Sequence, residues 1–425
     1  MSGWPFRFVH ASDFHLELPL FGVAHVPPHL RDKFIEAPYR AAERVFDTVL
    51  AEGARFLILS GDVINAPLAG ARGVLFLLQQ FERLAERDVA VYWAAGRVDP
   101  ASRWPAAMPL PPNVHTFPTG QVGHFVHAVD EEISALLVGS GRGRSGRFDA
   151  AALAEVESAH GREHYSIAVV HGAEETAALQ NSAFNYWALG GEHDRQTLFN
   201  SPAIAHYPGS PQGREPAEVG THGCTVIEVD SRGVARTNSI ATDVLRWQAE
   251  RVVVGEDWTE ETLLKRLINR AEHLRDGSGG VDQLVAWTLA GDSPLLHDLG
   301  DTRATRPLVE RLRQQFGYDS DDAKEPLLWS LSLDFDTSQS LPLGWYDEET
   351  LRGEFVRQVQ ELEQAPREPL GLEAFLPADY VDTSLGAEMA TPSGSSRGQV
   401  LQRASRLGAE LLSGDGDSTP LPTTP

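Results

Sequence analysis

The chain has 425 residues, 42% of them hydrophobic, and its 60 acidic side chains against 36 basic ones give a formal charge of −24. That length exceeds one ordinary core and points to two folded domains, while a surface so acidic excludes general affinity for polyanions unless the basic residues gather on one face. A single cysteine, Cys224, rules out an internal disulfide, the opening "MSGWPFRFVHASDFH" lacks a secretory pattern, and no apolar run approaches the roughly 20 residues of a membrane span. A soluble, cytoplasmic chain with no membrane partner is expected.

In chain order, "FRFVHAS" reads as a strand, "PYRAAERVFDTVLAEG" as a helix, "ARFLILSGD" as a strand, "GVLFLLQQFERLAERD" as a helix and "VAVYWAAG" as a strand. This is a βαβ rhythm with short polar loops. From Asn113 to about Ile240 strands dominate, among them "ISALLVGS", "SIAVVHG", "NYWALGG" and "GCTVIEVDSRGVARTNSI". A layered α/β sandwich over residues 1–245 fits both halves.

Beyond it, the helix "TEETLLKRLINRAEHLRD", strand "DQLVAWTLAG", helix "RPLVERLRQQFG" and strand "PLLWSLSLDFD" read as a small βαβαβ domain over 246–375. Helical spacing places Leu351, Phe355, Val359 and Leu362 on one face of "EETLRGEFVRQVQELEQ". It does the same for Val400, Ala404, Leu407 and Leu411 in "GQVLQRASRLGAELL", whose apolar face needs a groove to fill. Residues 376–425 are expected to be a linker, this last helix and a disordered tail, "SGDGDSTPLPTTP", with almost nothing to bury.

Ligands of open α/β sheets collect beyond the carboxyl ends of strands. There stand Asp13 and His15 in "DFH", Asp62 in "GDVIN", His171 in "VVHG" and His193 in "GGEHD". Asp13 and His15 are two apart, so an extended segment would turn both to one side, and Gly61 would let the Asp62 carboxylate approach a cation closely. Such oxygen and imidazole donors suit Mn²⁺, Fe²⁺ or Zn²⁺. Taken singly, each has a plainer reading as a polar loop, a turn or a satisfied histidine. Together, in order and each at a strand terminus, they point to a site, and a metal centre and a hydrogen-bonded polar cluster kept for folding both stand as readings of it.

The ordered set "FVHASDFHLELPLFG", "ARFLILSGDVIN", "VAVYWAAGRVD", "VVHG", "YWALGGEHDRQ" and "YPGSPQGRE" resembles the calcineurin-like metallophosphoesterases over about residues 5–245. Within them it is similar to the SbcD-type DNA-repair exonuclease subunits, closest to their YhaO-like branch. The resemblance implies a four-layer α/β/β/α sandwich, followed by a small α/β cap domain and C-terminal helices. It also implies two Mn²⁺-like ions bridged by Asp62. The first would be held also by Asp13, His15 and His193, and the second by an asparagine, His171 and the first histidine of a Gly-His-x-His turn.

The departures bear on activity. The family's Gly-Asn-His-Asp is "GRVD" here, so Arg97 replaces the asparagine ligand and Val98 the histidine that protonates the leaving group. The Gly-His-x-His turn is "GGEH", with Gly191 for a ligand, and "GDVIN" ends in Asn65 where an aspartate is usual. Glu192, at the variable position of the turn, is expected to point elsewhere. The implied cofactor is therefore one divalent metal, manganese with iron or zinc as alternatives, and the second site is expected to be lost. Arg97 would offer a phosphate its planar donor fork.

The family implies an SbcC-like coiled-coil ATPase as partner; DNA ends and a second copy of the chain are the other partners considered. Three functional readings follow. The first is a degenerate phosphoesterase subunit serving a DNA-repair or nucleic-acid-processing ATPase complex, with exonuclease activity lost or strongly reduced. The second is an active nuclease or phosphodiesterase using one metal plus Arg97. The third is a purely structural assembly protein.

Overall fold

The computed structural model describes residues 5–412 except 24, 130–131, 144–147, 161–163, 173–175, 181–182, 292, 300–303, 319–324, 337–342, 366–367, 377–389 and 393. The tail expected to be disordered, and most of the expected linker, lie outside the described residues.

Twelve strands form two six-stranded sheets. In chain order they are β1 (Phe6–Ala11), β2 (Phe56–Leu59), β3 (Ala90–Trp93), β4 (Val114–Thr116), β5 (Gly123–Val129), β6 (Glu132–Ser140), β7 (Tyr165–His171), β8 (Tyr186–Gly190), β9 (Gln196–Phe199), β10 (Ile204–Tyr207), β11 (Gly223–Val229) and β12 (Ala235–Ala241). The first sheet has the order β12-β11-β1-β2-β3-β4 and the second β5-β6-β7-β8-β10-β9. Strands β1 to β4 are parallel to one another, as are β6, β7, β8 and β10, while β11, β12, β5 and β9 pair antiparallel.

Period-2 alternation divides the core into layers. Phe8, Phe56, Ile58 and Tyr92 meet Leu137, Ile167, Val169 and Tyr186 between the sheets. On the opposite face of the first sheet, Val9, Leu57, Leu59 and Val91 pack on α1 (Pro28–Ala51) through Val45, Phe46 and Val49, and on α2 (Ala66–Ala85) through Leu77 and Phe81. On the far face of the second sheet, Val138, Val170, Trp187 and Leu189 pack against Leu153 of α3 (Ala150–Ala159) and Leu179 of α4 (Thr176–Gln180). The result is the α/β/β/α sandwich. Strands β2, β7, β8 and β10 are buried on both faces, which is why "FLIL" and "YSIAVVH" read as nearly unbroken apolar runs.

The chain divides into two compact units that are not contiguous in sequence: 1–249, 270–286 and 312–331 in the first, and 250–269, 287–311 and 332–425 in the second. Three further strands, Leu245–Val253, Asp282–Ala290 and Leu328–Phe335, form a third sheet in that order. In the second unit, helix Leu351–Gln364 pairs with helix Gly394–Leu412. Gly408 lies so close to Phe355 that a Cβ there would clash with its ring, and Arg397 donates to the carbonyls of Leu362 and Ala365, capping the shorter helix.

The face expected to be buried on the shorter helix is corrected. Gly353, Val356 and Val359 are buried, whereas Leu351 is 77% exposed. Leu351 is the first residue after the Thr350 cap, so its side chain has no preceding turn to cover. No helix among the described residues is long and apolar enough to cross a membrane.

Candidate metal centre

The parallel strands of both sheets send their carboxyl ends to one rim. The loops after β1 and β2 are zipped together by Asp13 N–H to Gly61 O (2.9 Å), His15 N–H to Asp62 O (3.0 Å) and Leu16 N–H to Val63 O (3.2 Å). To make these bonds Asp13, His15 and Asp62 adopt φ of 55°, 48° and 52°, and they are three of the four non-glycine residues with positive φ among the described residues. Each such residue costs on the order of 1 kcal/mol or more, a strain that concentrates at functional sites. Asp13 and His15 are therefore brought together by left-handed turns, not by the extended segment that period-2 spacing suggested.

The role expected of Gly61 is also revised. A Cβ there would stand 2.6 Å from His171 Nδ1 and 2.7 Å from Gly96 N, so its bare backbone makes room for His171 and for the loop after β3. That loop is held by Asp99, the last residue of "GRVD". Its buried carboxylate accepts from the backbone N–H groups of Asp62 (3.2 Å), Val63 (3.0 Å) and Gly96 (2.6 Å) and from Trp93 Nε1 (2.9 Å). Burial pushes Asp99 up to about 6; the Val63 N–H opposes this and the Asp62 charge adds to it.

The five sequence-derived donors converge. Asp62 Oδ2 lies 3.4 Å from His171 Nε2 and 3.9 Å from His15 Nε2, and its Oδ1 accepts from Val98 N–H at 2.8 Å. Asp13 Oδ2 accepts from Gly191 N–H at 2.9 Å. Two groups of donor atoms each lie within 4.8 Å: Asp13, His15 and His193, and Asp13, Asp62 and His171. Asp13 is common to both, while the carboxylate of Asp62 stands between His15 and His171.

His171 Nδ1–H donates to Ser60 O at 2.9 Å, which fixes its tautomer and turns Nε2 toward Asp62. Burial works against protonation of His171, but Asp62 and Asp13 outweigh it and raise its pKa. Burial likewise opposes the charge on Asp62, yet the hydrogen bond and charge of His171 hold that carboxyl well below its usual range. For Asp13 burial wins and its pKa rises, against the pull of His171.

Three further residues shape the centre and went unrecognised in the sequence. Glu17 Oε1 lies 3.0 Å from His15 Nδ1, and its Oε2 accepts from Asn65 N–H at 2.9 Å. Glu218 Oε1 lies 2.6 Å from His193 Nδ1, and its Oε2 accepts from Arg214 N–H at 2.8 Å. Each glutamate orients one imidazole so that Nε2 faces the centre, the arrangement that supports histidine ligands of metals. Glu218 raises His193, chiefly through the hydrogen bond and against burial. The third is Asp99, which closes "GRVD"; Glu17 follows His15 by two residues in "DFHLE", and Glu218 lies three residues beyond "YPGSPQGRE".

At the positions that depart from the family pattern the structure is equally specific. Gly191 has φ of 104°, and a Cβ there would lie 3.2 Å from His171 Nε2, so its missing side chain leaves open the space beside that imidazole. Val98 contributes its backbone N–H to Asp62. Arg97 and Glu192 are exposed, and no hydrogen bond or ion pair involves Arg97 among the described residues.

The residues fit a divalent cation. Asp13 Oδ1 and His15 Nε2 are buried acceptors without a hydrogen-bond partner, a costly state that a cation relieves. Asp13, His15 and His193 would hold it in one donor group, and Asp13, Asp62 and His171 in the other. A divalent cation supplies Lewis acidity toward a phosphoryl oxygen.

No protein-family model matches the chain. The uncharacterized metallophosphoesterase YhaO of Bacillus subtilis strain 168 is 28% identical over 356 residues, which span 79% of this chain and 83% of that protein. The chain has the metallophosphoesterase fold. Among solved structures, a dimetal phosphatase from Danio rerio is similar at 10% identity and a TM-score of 0.35, covering 55% of this chain and 98% of that one. A predicted phosphoesterase from Streptococcus pneumoniae TIGR4 is similar at 11% identity and a TM-score of 0.24, covering 56% and 98%.

Proposed function

We propose that this metallophosphoesterase-fold protein is an SbcD-like subunit that holds one divalent cation, manganese with iron or zinc as alternatives, and binds phosphate with phosphodiesterase activity lost or strongly reduced. One contrast carries the reading. Asp13, His15 and His193 stand close together with both imidazoles oriented by glutamates, whereas the resemblance assigns to the positions of Gly191 and Val98 a second-ion ligand and a leaving-group acid that neither residue can supply. Loss of a general acid alone costs about 10²–10⁴ in rate. The test is hydrolysis of an aryl phosphodiester in Mn²⁺: the wild-type rate should sit close to that of Asp62→Ala.

A second reading, an active metal-dependent phosphodiesterase, has one observation in its favour. His171 still meets Asp13 and Asp62 as a second group of three donors. Turnover abolished by Asp62→Ala would select it.

The proposed partner is an SbcC-like coiled-coil ATPase. The helix Gly394–Leu412 supports this, because it buries Leu401 and Ala409 but leaves Leu407 and Leu411 60% and 70% exposed along one stripe with Val400. An apolar stripe of i, i+4, i+7, i+11 spacing suits a helical partner groove.

A further inference from the structure

Arg214 is 3% exposed, and its Nε and Nη2 are both buried without a hydrogen-bond partner. These two atoms form the side-on edge of a guanidinium, the one that grips two oxygens at once. On two other arginines that edge is closed: Arg246 sets Nε and Nη2 on Asp243 at 2.6 and 3.0 Å, and Arg251 sets them on Asp336 at 3.0 and 2.8 Å. Two buried cationic N–H groups left open together are costly, on the order of 1–3 kcal/mol each.

The location gives the open edge meaning. Arg214 N–H bonds Glu218, the carboxylate behind His193, and its guanidinium lies 5.6 Å from the half-exposed ring of Phe21. Its charge is felt at His193, and Glu17, Glu218 and Asp13 counter the burial that lowers its own pKa. The centre therefore holds orphaned atoms of two kinds. Asp13 Oδ1 and His15 Nε2 are acceptors that call for a cation; Arg214 Nε and Nη2 are donors that call for an anion.

We propose that the side-on edge of Arg214 is an oxyanion subsite that takes two oxygens of a substrate's phosphoryl group beside the metal centre. The inference rests on the metal-binding reading above and assigns the phosphate grip to Arg214 where the sequence had suggested Arg97, which is exposed. Charge sets the order of binding. The carboxylates of Glu17, Glu218, Asp13 and Glu215 act on a single guanidinium, so an anion is repelled until a divalent cation has offset that field. Metal binds first and phosphate second, each strengthening the other.

Equilibrium dialysis of the full chain against labelled inorganic phosphate, with and without bound Mn²⁺, tests this. The Mn²⁺-loaded protein should bind phosphate at least about tenfold more tightly than the metal-free protein, and dimethyl phosphate should compete for the same site. Arg214→Gln should weaken phosphate binding about tenfold to a hundredfold with manganese content unchanged, the scale of a bidentate charge-assisted contact. Arg214→Lys, which keeps the charge without the fork, should weaken it by at least about threefold, and it carries the test if the glutamine variant does not fold. Surface Arg232→Gln should change nothing.

Undiminished phosphate affinity in both Arg214 variants, or loss in Arg97→Gln instead, would overturn the proposal while leaving the metal reading intact. Failure of dimethyl phosphate to compete would overturn the assignment to an ester substrate. A wild-type chain that takes up no Mn²⁺ would remove the metal reading and this inference with it.

Discussion

His193 Nδ1 lies 2.6 Å from Glu218 Oε1, so the imidazole of the turn that follows β8 is aimed by a carboxylate from the loop that follows β10. The same relation joins His15 to Glu17 at 3.0 Å. Glu218→Gln should lower Mn²⁺ affinity about tenfold to a hundredfold, as outer carboxylates do for other metal-binding histidines, with the thermal unfolding midpoint of the metal-free protein little changed. Titration of metal-free protein with Mn²⁺ measures it, and equal affinities would deny Glu218 this role.

Gly191 is a poor place to restore a histidine by itself. Its φ of 104° and the 3.2 Å between a new Cβ and His171 Nε2 mean that Gly191→His has to shift the turn, at a cost of about 1–3 kcal/mol. The single variant should be less stable and bind no additional metal. The triple change Arg97→Asn, Val98→His and Gly191→His should raise manganese per chain and hydrolyse an aryl phosphodiester at least about 10³ faster than the wild type. Equal rates, both abolished by Asp62→Ala, would mean that the natural centre has its own one-metal chemistry.

Much of this architecture was legible in the sequence, because strands buried on both faces advertise themselves as apolar runs and donors follow at their carboxyl ends. Asp13, His15, Asp62, His171 and His193 were found that way. The conformation of the first loop was not, since positive φ at Asp13 and His15 overrides the period of two on which the extended reading relied. Glu218 lies 25 positions from His193 and reaches it only through tertiary folding. Arg214 stood inside the quoted "YPGSPQGRE", but nothing in the linear order shows that a guanidinium is buried with an open edge.

His206 provides a stability test away from the metal ligands. Buried between Thr197 Oγ1 and Thr225 Oγ1, it is driven by burial, with a smaller push from the Arg195 charge, from 6.5 down to about 4. The folded chain thus refuses a proton that the unfolded chain takes up near 6.5. Stability from this group is complete above 6.5 and is lost as pH falls toward 4, by up to about 1.4 kcal/mol per pH unit. Buried His10, also lowered by burial, acts in the same direction. Urea unfolding of His206→Gln between pH 6.5 and 4 should show a shallower decline than the wild type; parallel curves would contradict the assignment.

The exposed stripe on the last helix separates docking from folding. Leu407→Glu with Leu411→Glu should leave unfolding stability within about 0.5 kcal/mol of wild type, as surface changes do, and should abolish co-purification of the proposed coiled-coil ATPase partner. Deletion from Ser395 onward should do the same while leaving the first unit folded. Retained association in both would move the docking surface elsewhere.

Metal content and cleavage measured on the same protein separate the proposed single-ion centre from an intact pair of ions. Protein purified without chelator should carry close to one manganese, iron or zinc per chain, lose it in Asp62→Ala, and cleave neither DNA ends nor an aryl phosphodiester in Mn²⁺ above the Asp62→Ala rate. Two ions per chain, with DNA cleavage that Asp62→Ala abolishes, would mean that the second site and the activity are both intact.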